Sequence, residues 1–96
     1  MKELIQYAKN DYDYKIIRRE NNLAIAVGQS RISKSINWEV IKIQSHNGMT
    51  MGGVYMPPAE FAPSNNQWGI KGWTALNEEH AQDIFEKQKN KIENES

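Results

Sequence analysis

Apolar and polar positions alternate most cleanly in two neighbouring runs, YDYKIIRRE (12–20) and LAIAVG (23–28). A period of two places alternate side chains on opposite faces of a sheet, so both runs predict strands. Asn21-Asn22 lies between them. Asparagine tolerates the positive φ of a two-residue hairpin turn, so the runs predict a β-hairpin. With uninterrupted pairing Glu20 faces Leu23, Arg18 faces Ile25 and Ile16 faces Val27. Tyr12, Tyr14, Ile16, Leu23, Ile25 and Val27 then share a core face, with Ile17, Arg19, Ala24 and Ala26 on the other. The polar segment 29–36 predicts a mobile loop. NWEVIKIQ (37–44) predicts a third strand with Trp38 and Val40 on one side and Ile41 and Ile43 on the other. His46-Asn47-Gly48 predicts a turn, and 49–56 a weak strand with a bulge or close backbone approach at Gly52-Gly53. Pro57-Pro58 ends it, since proline cannot donate to a ladder. A surface loop follows, anchored by Phe61, and then a final strand, WGIKGWTA (68–75).

The period changes after Leu76. Ala81, Ile84, Phe85, Gln88 and Ile92 follow helical spacing and form one narrow apolar stripe. Asn77 is the expected N-cap. Glu78, Glu79 and Asp83 near the start, and Lys87, Lys89 and Lys91 near the end, complement the helix dipole. Residues 1–11 read either as a short helical turn carrying Leu4, Ile5 and Ala8 or as an arm. The expected fold is α+β: a four- to five-stranded antiparallel meander sheet with one C-terminal amphipathic helix packed on one face. The expected organisation is a single domain over 1–96, with a β-rich body at 12–75, a helix at 77–92 and a frayed end at 93–96.

Composition narrows the chemistry. The 96 residues include nine aromatics and no cysteine, which removes disulfides, thiolate catalysis and cysteine-based zinc sites. So small a chain buries a modest fraction of its surface, and a homodimer would bury more. The N-terminus has no long apolar run and no stretch approaches the length of a membrane span, so the expectation is no signal peptide, no membrane association and a cytoplasmic location. Net charge is zero, but residues 1–48 carry +3 and residues 49–96 carry −3. That asymmetry is either ordinary interspersed surface charge or a basic face opposite an acidic helix.

No catalytic constellation emerges, and the chain is expected to be no enzyme, without cofactor or metal. Ser45 and His46 are adjacent, which gives no triad geometry. His46 and His80 lack enough accompanying ligands for a metal. Gly48, Gly52 and Gly53 precede prolines, where a phosphate loop needs a helix. Two binding surfaces remain. Trp68, Trp73, Phe61, Met49 and Met51 fall in an irregular, glycine- and proline-punctuated segment, and Trp and Met are enriched at interfaces. With Arg31 and Lys34 of the polar loop they form the candidate partner-binding set. The alternative is nucleic-acid or nucleotide binding through Lys15, Arg18, Arg19, Arg31, Lys34 and Lys42, where aromatic residues interleave.

The run Trp38-Glu39-Val40-Ile41-Lys42-Ile43, then Pro63-Ser64, Trp68-Gly69, Trp73 and an acidic helix with Ala81 and Phe85 resembles small uncharacterised accessory proteins of phages and mobile elements. The resemblance covers roughly residues 36–88. It brings no family activity and no catalytic residues. It implies a setting in which small proteins bind and block host machinery, CRISPR nucleases among it. The expected function is therefore that of a non-enzymatic inhibitor acting on a host protein in the host cytoplasm.

Overall fold

Two Asn-led turns pair the first three strands of the computed structural model, which describes residues 1–95. β1 (Gln6–Lys9) joins β2 (Tyr12–Glu20) through Asn10-Asp11, and β2 joins β3 (Leu23–Ser30) through Asn21-Asn22. Asn10 and Asn21 both have φ 55°, the left-handed conformation asparagine tolerates best after glycine. β4 (Ile36–Lys42) pairs with β3, and β9 (Gly72–Ala75) pairs with β4. The sheet order is β1-β2-β3-β4-β9, antiparallel throughout. A single C-terminal helix, α1 (Glu78–Glu95), packs against it, so the fold is α+β with a five-stranded meander sheet.

Between β4 and β9 the chain leaves the sheet. β5 (Gln44–His46) pairs with β8 (Ala59–Phe61), and β6 (Met49–Met51) pairs with β7 (Val54–Met56) as a separate hairpin. A 3-10 turn over Asn65–Gln67 leads back to β9. The N-terminus is fastened to this excursion: Glu60 N–H donates to the Lys2 carbonyl at 3.0 Å, and Leu4 N–H donates to the Glu60 carboxylate at 2.9 Å.

Both sheet faces are covered. On the helix side Leu23, Ile25, Val40 and Ala75 meet Ala81 and Phe85, flanked by half-buried Trp38, Trp73 and Ile84. On the other side Ala24, Ile41 and Ile43 lie beneath Leu4, Tyr7, Ile16, Ala62 and Trp68. Phe85 is fully buried, and truncating such a side chain to alanine costs about 3–5 kcal/mol. Asn77 caps α1: its side-chain oxygen accepts the His80 N–H at 2.8 Å, while His80 Nδ1 accepts the Leu76 N–H at 2.9 Å.

Several expectations need correction. Pairing of β2 with β3 runs as expected for Glu20, Arg19 and Arg18, but a bulge between Ile16 and Arg18 then shifts the register. Ile16 faces Ala26, not Val27, and Tyr14 faces Gly28. A one-residue slip inverts every side chain beyond it. Tyr12, Tyr14 and Ile16 therefore lie on the face opposite Leu23, Ile25 and Val27. Residues 6–9 form an edge strand, not a helical turn. The expected loop at 29–36 shrinks to a turn after Ser30, whose Oγ accepts the N–H groups of Ile32 and Ser33 at 3.1 Å each. Gly52 (φ 58°) and Gly53 (φ 80°) are the two central residues of the β6–β7 turn, not a bulge, and a Cβ at either would meet nothing within 4 Å. Only Gly72–Ala75 of the expected 68–75 segment forms a strand; Trp68 makes an isolated bridge, and Gly69–Lys71 form a turn with Gly69 at φ 88°. Residues 59–61, read as loop, are β8. The helix continues through 93–95, expected to fray, and Ser96 lies outside the described residues.

Candidate functional site

Two features stand apart from ordinary packing. The first is built around Glu39, an acid in an otherwise apolar stretch of β4 and 1 % exposed. A buried carboxylate is tolerable only when its oxygens are bound. Tyr7 donates its hydroxyl to Oε1 at 2.8 Å, and Lys9 donates its ammonium to Oε2 at 2.6 Å. Both come from β1, which thereby reaches over the face of β4. The Lys9 nitrogen lies 3.2 Å from the Trp68 ring centroid and 5.9 Å from that of Tyr14. Tyr7 and Tyr14 stack at 5.0 Å, and Tyr14 accepts a hydrogen bond from Asn37 Nδ2 at 2.8 Å.

Two strand glycines make room for these rings. A Cβ at Gly28 would lie 2.5 Å from the Tyr14 ring, and one at Gly72 2.3 Å from the Trp68 ring. Gly28 is on β3 and Gly72 on β9, so the rings lie on either side of β4, the strand that carries Glu39. Burial, then the neighbouring Glu39 carboxylate, hold the Tyr7 hydroxyl far above the usual phenol range. Burial pushes Tyr14 up to about 12, against the lowering effect of the Asn37 hydrogen bond.

The second feature is the β6–β7 hairpin. Every residue from Met49 to Met56 is exposed. The register Met49↔Met56 and Met51↔Val54 places these four side chains on one face, with Thr50 and Tyr55 on the other. Met51 is 65 % exposed and Val54 62 %. No Asp, Glu, Lys or Arg occurs between Lys42 and Glu60. The result is an uncharged apolar arm projecting from a charged body. At its root Phe61 is exposed and packs against the His46 ring.

The candidate partner-binding residues are divided among three places. Met49, Met51 and Phe61 gather at the arm and its root. Trp68 and Trp73 are half-buried on opposite faces of the sheet, each packed into a core cluster. Arg31 and Lys34 sit in the β3–β4 turn, at the far end of those strands from the arm; Arg31 pairs with Asp13 at 2.6 Å and Lys34 has φ 64°. The basic set is divided as well. Arg18 lies on the helix face over the Phe85 ring at 3.9 Å, and binds Gln82, Glu20 and Glu86. Arg19 lies on the opposite face, bidentate to Glu60 at 2.6 and 2.7 Å. Lys42 pairs across from Leu23, on the helix face, with its ammonium 5.9 Å from the Trp73 ring. Lys15 faces outward opposite Val27.

Sequence reasoning missed Tyr7, Lys9, Tyr14 and Glu39 as a group. The available signals were a lone acid inside Trp38–Ile43 and glycines within strands. Among the described residues no group of three His, Cys, Asp or Glu could hold a metal ion, and no helix is long and apolar enough to cross a membrane. Comparison with known proteins returned no matching family model, curated protein or solved structure.

Proposed function

We propose that this chain is a non-enzymatic binding protein that engages another protein through the β6–β7 arm. The observation that carries this reading is the four-residue apolar face Met49–Met51–Val54–Met56, exposed on a hairpin that makes its own two-stranded sheet and carries no charge. Leaving such a face in water is unfavourable, and covering it releases about 25 cal/mol for each Å² removed from solvent. Methionine adapts its shape to a partner groove better than branched side chains do. A host protein as partner, inhibited by the contact, is the finer reading, supported by the resemblance to accessory proteins of phages and mobile elements. Arg18, Arg19 and Arg31 are bound to carboxylates and divided between faces, which weighs against a phosphate-binding surface.

The test is the double variant Met51→Glu with Val54→Glu, compared with the parent in affinity capture from host extract and in sedimentation. A host protein retained by the parent and lost by the variant, with an unchanged unfolding midpoint, supports the reading. Identical capture by both proteins overturns it. A dimer in the parent that becomes a monomer in the variant would assign the arm to self-association.

A further inference from the structure

The group bound to Glu39 is a primary ammonium, and the space on both sides of it is open. One cleft of about 450 Å³ runs between β1 and the segment Glu60–Asn65. A second, of about 330 Å³, lies between Tyr12, Tyr14, Asn37 and Trp68. Lys9 and Asn65 line both, so the Lys9 side chain lies where the two clefts adjoin, in a depression whose floor on the second side is Glu39. The parts of this floor are held by groups other than Lys9. Tyr7 binds Oε1 of Glu39, Asn37 holds Tyr14, Gly28 and Gly72 seat the two rings, and Trp68 Nε1 donates to Thr74 at 2.9 Å.

We infer that this depression is a preformed site for a primary aliphatic ammonium, with Lys9 as its resident occupant. The chemistry selects that class. Oε2 of Glu39 needs an N–H donor, which a quaternary ammonium lacks. The Trp68 face attracts a cation, which a neutral amide or alcohol is not. Exchange of one ammonium for another leaves the buried charge balance intact, so an incoming amine pays no penalty for an unpaired carboxylate. In the intact chain the tether keeps Lys9 at high effective concentration, and a free amine competes weakly.

Lys9→Ala empties the site, and n-propylammonium replaces the three carbons and the nitrogen removed. Without amine the variant unfolds at a midpoint lower by roughly 10 °C or more, because a buried carboxylate has lost its cation. Adding n-propylammonium chloride raises the midpoint saturably, by several degrees, beyond sodium chloride at equal ionic strength and beyond tetramethylammonium or 1-propanol. If Lys9→Ala does not fold alone, folding on addition of the amine is the same result. The double variant Lys9→Ala with Glu39→Gln buries no lone carboxylate, and is expected to fold and ignore the amine. A Lys9→Ala protein that answers all four additives alike, stays unfolded with n-propylammonium, or responds equally with Gln at position 39 overturns the inference.

Discussion

Glu39 shows what a single buried charge demands of its neighbours. Tyr7→Phe keeps the ring stacked on Tyr14 but leaves Oε1 without its hydroxyl donor. The expected cost is about 1–3 kcal/mol, read from the urea midpoint. The same hydroxyl gives an alkaline signature. Its folded pKa lies above the ordinary 10.0, so its contribution is full below that value and is lost as pH rises past it, when the unfolded chain ionises first. Unfolding free energy is expected to fall above pH 10 in the parent and less steeply in Tyr7→Phe. Gly28→Ala and Gly72→Ala would each drive a methyl into a seated ring, at about 1–3 kcal/mol, whereas Ala at Gly52 meets open space and strains only the turn. These roles were scarcely legible in the sequence. A glycine in a strand marks a close approach but does not say by what, and the partner rings lie 14 and 4 positions away.

At the scale of elements, the helix was the most legible part and the strands the least secure in detail. Its cap, its stripe and its start were all present in local spacing, because helical contacts are three and four residues apart. Asn77→Ala is expected to cost about 1 kcal/mol by removing the acceptor for the His80 N–H, checked by thermal melting followed at the helical band. The bulge between Ile16 and Arg18 could not be read from alternation. Ile-Ile-Arg-Arg fits either face, and only the packing of Tyr14 on Gly28 decides it. Gly52-Gly53 was legible as an anomaly, but its role as a turn depends on the pairing of Met51 with Val54. The stripe also overstated the far end of α1, where Ile92 remains 42 % exposed and borders an open cleft shared with Leu23, Lys42 and Ile43.

Across the whole molecule, charge ties separate segments together. The positive first half and negative second half do not form opposed faces; Arg18–Glu86, Lys89–Glu20 and Arg19–Glu60 join one half to the other. Glu60 links the N-terminus, β2 and β8 at once. Its hydrogen bond from Arg19 and then that from the Leu4 N–H lower its pKa from 4.5 to about 2. A depressed carboxylate contributes fully above its unfolded value and loses that contribution as pH falls through the folded one. Denaturation midpoints should therefore fall as pH drops from 4.5 towards 2, with a shallower slope in Glu60→Gln. The first four strands and the helix were legible because β1 to β4 pair with their neighbours in sequence, whereas the return of β9 to β4 spans a long excursion. The candidate surface was half legible: Met49, Met51 and Phe61 could be singled out by composition. Trp68 and Trp73 could not be sorted from them, because burial is a property of the assembled sheet.

The turn at Gly52-Gly53 lies at the tip of the arm, and the chain on either side of it divides the molecule unusually evenly. Residues up to Gly52 carry β1 to β4, and those beyond it carry β9 and α1, so the β4–β9 ladder and the contact of Phe85 with Ile25 both cross between the two pieces. Cleavage at that tip would leave each fragment with an unfinished hydrophobic surface that the other completes. Two separately produced fragments, 1–52 and 53–96, should reassociate without a covalent link.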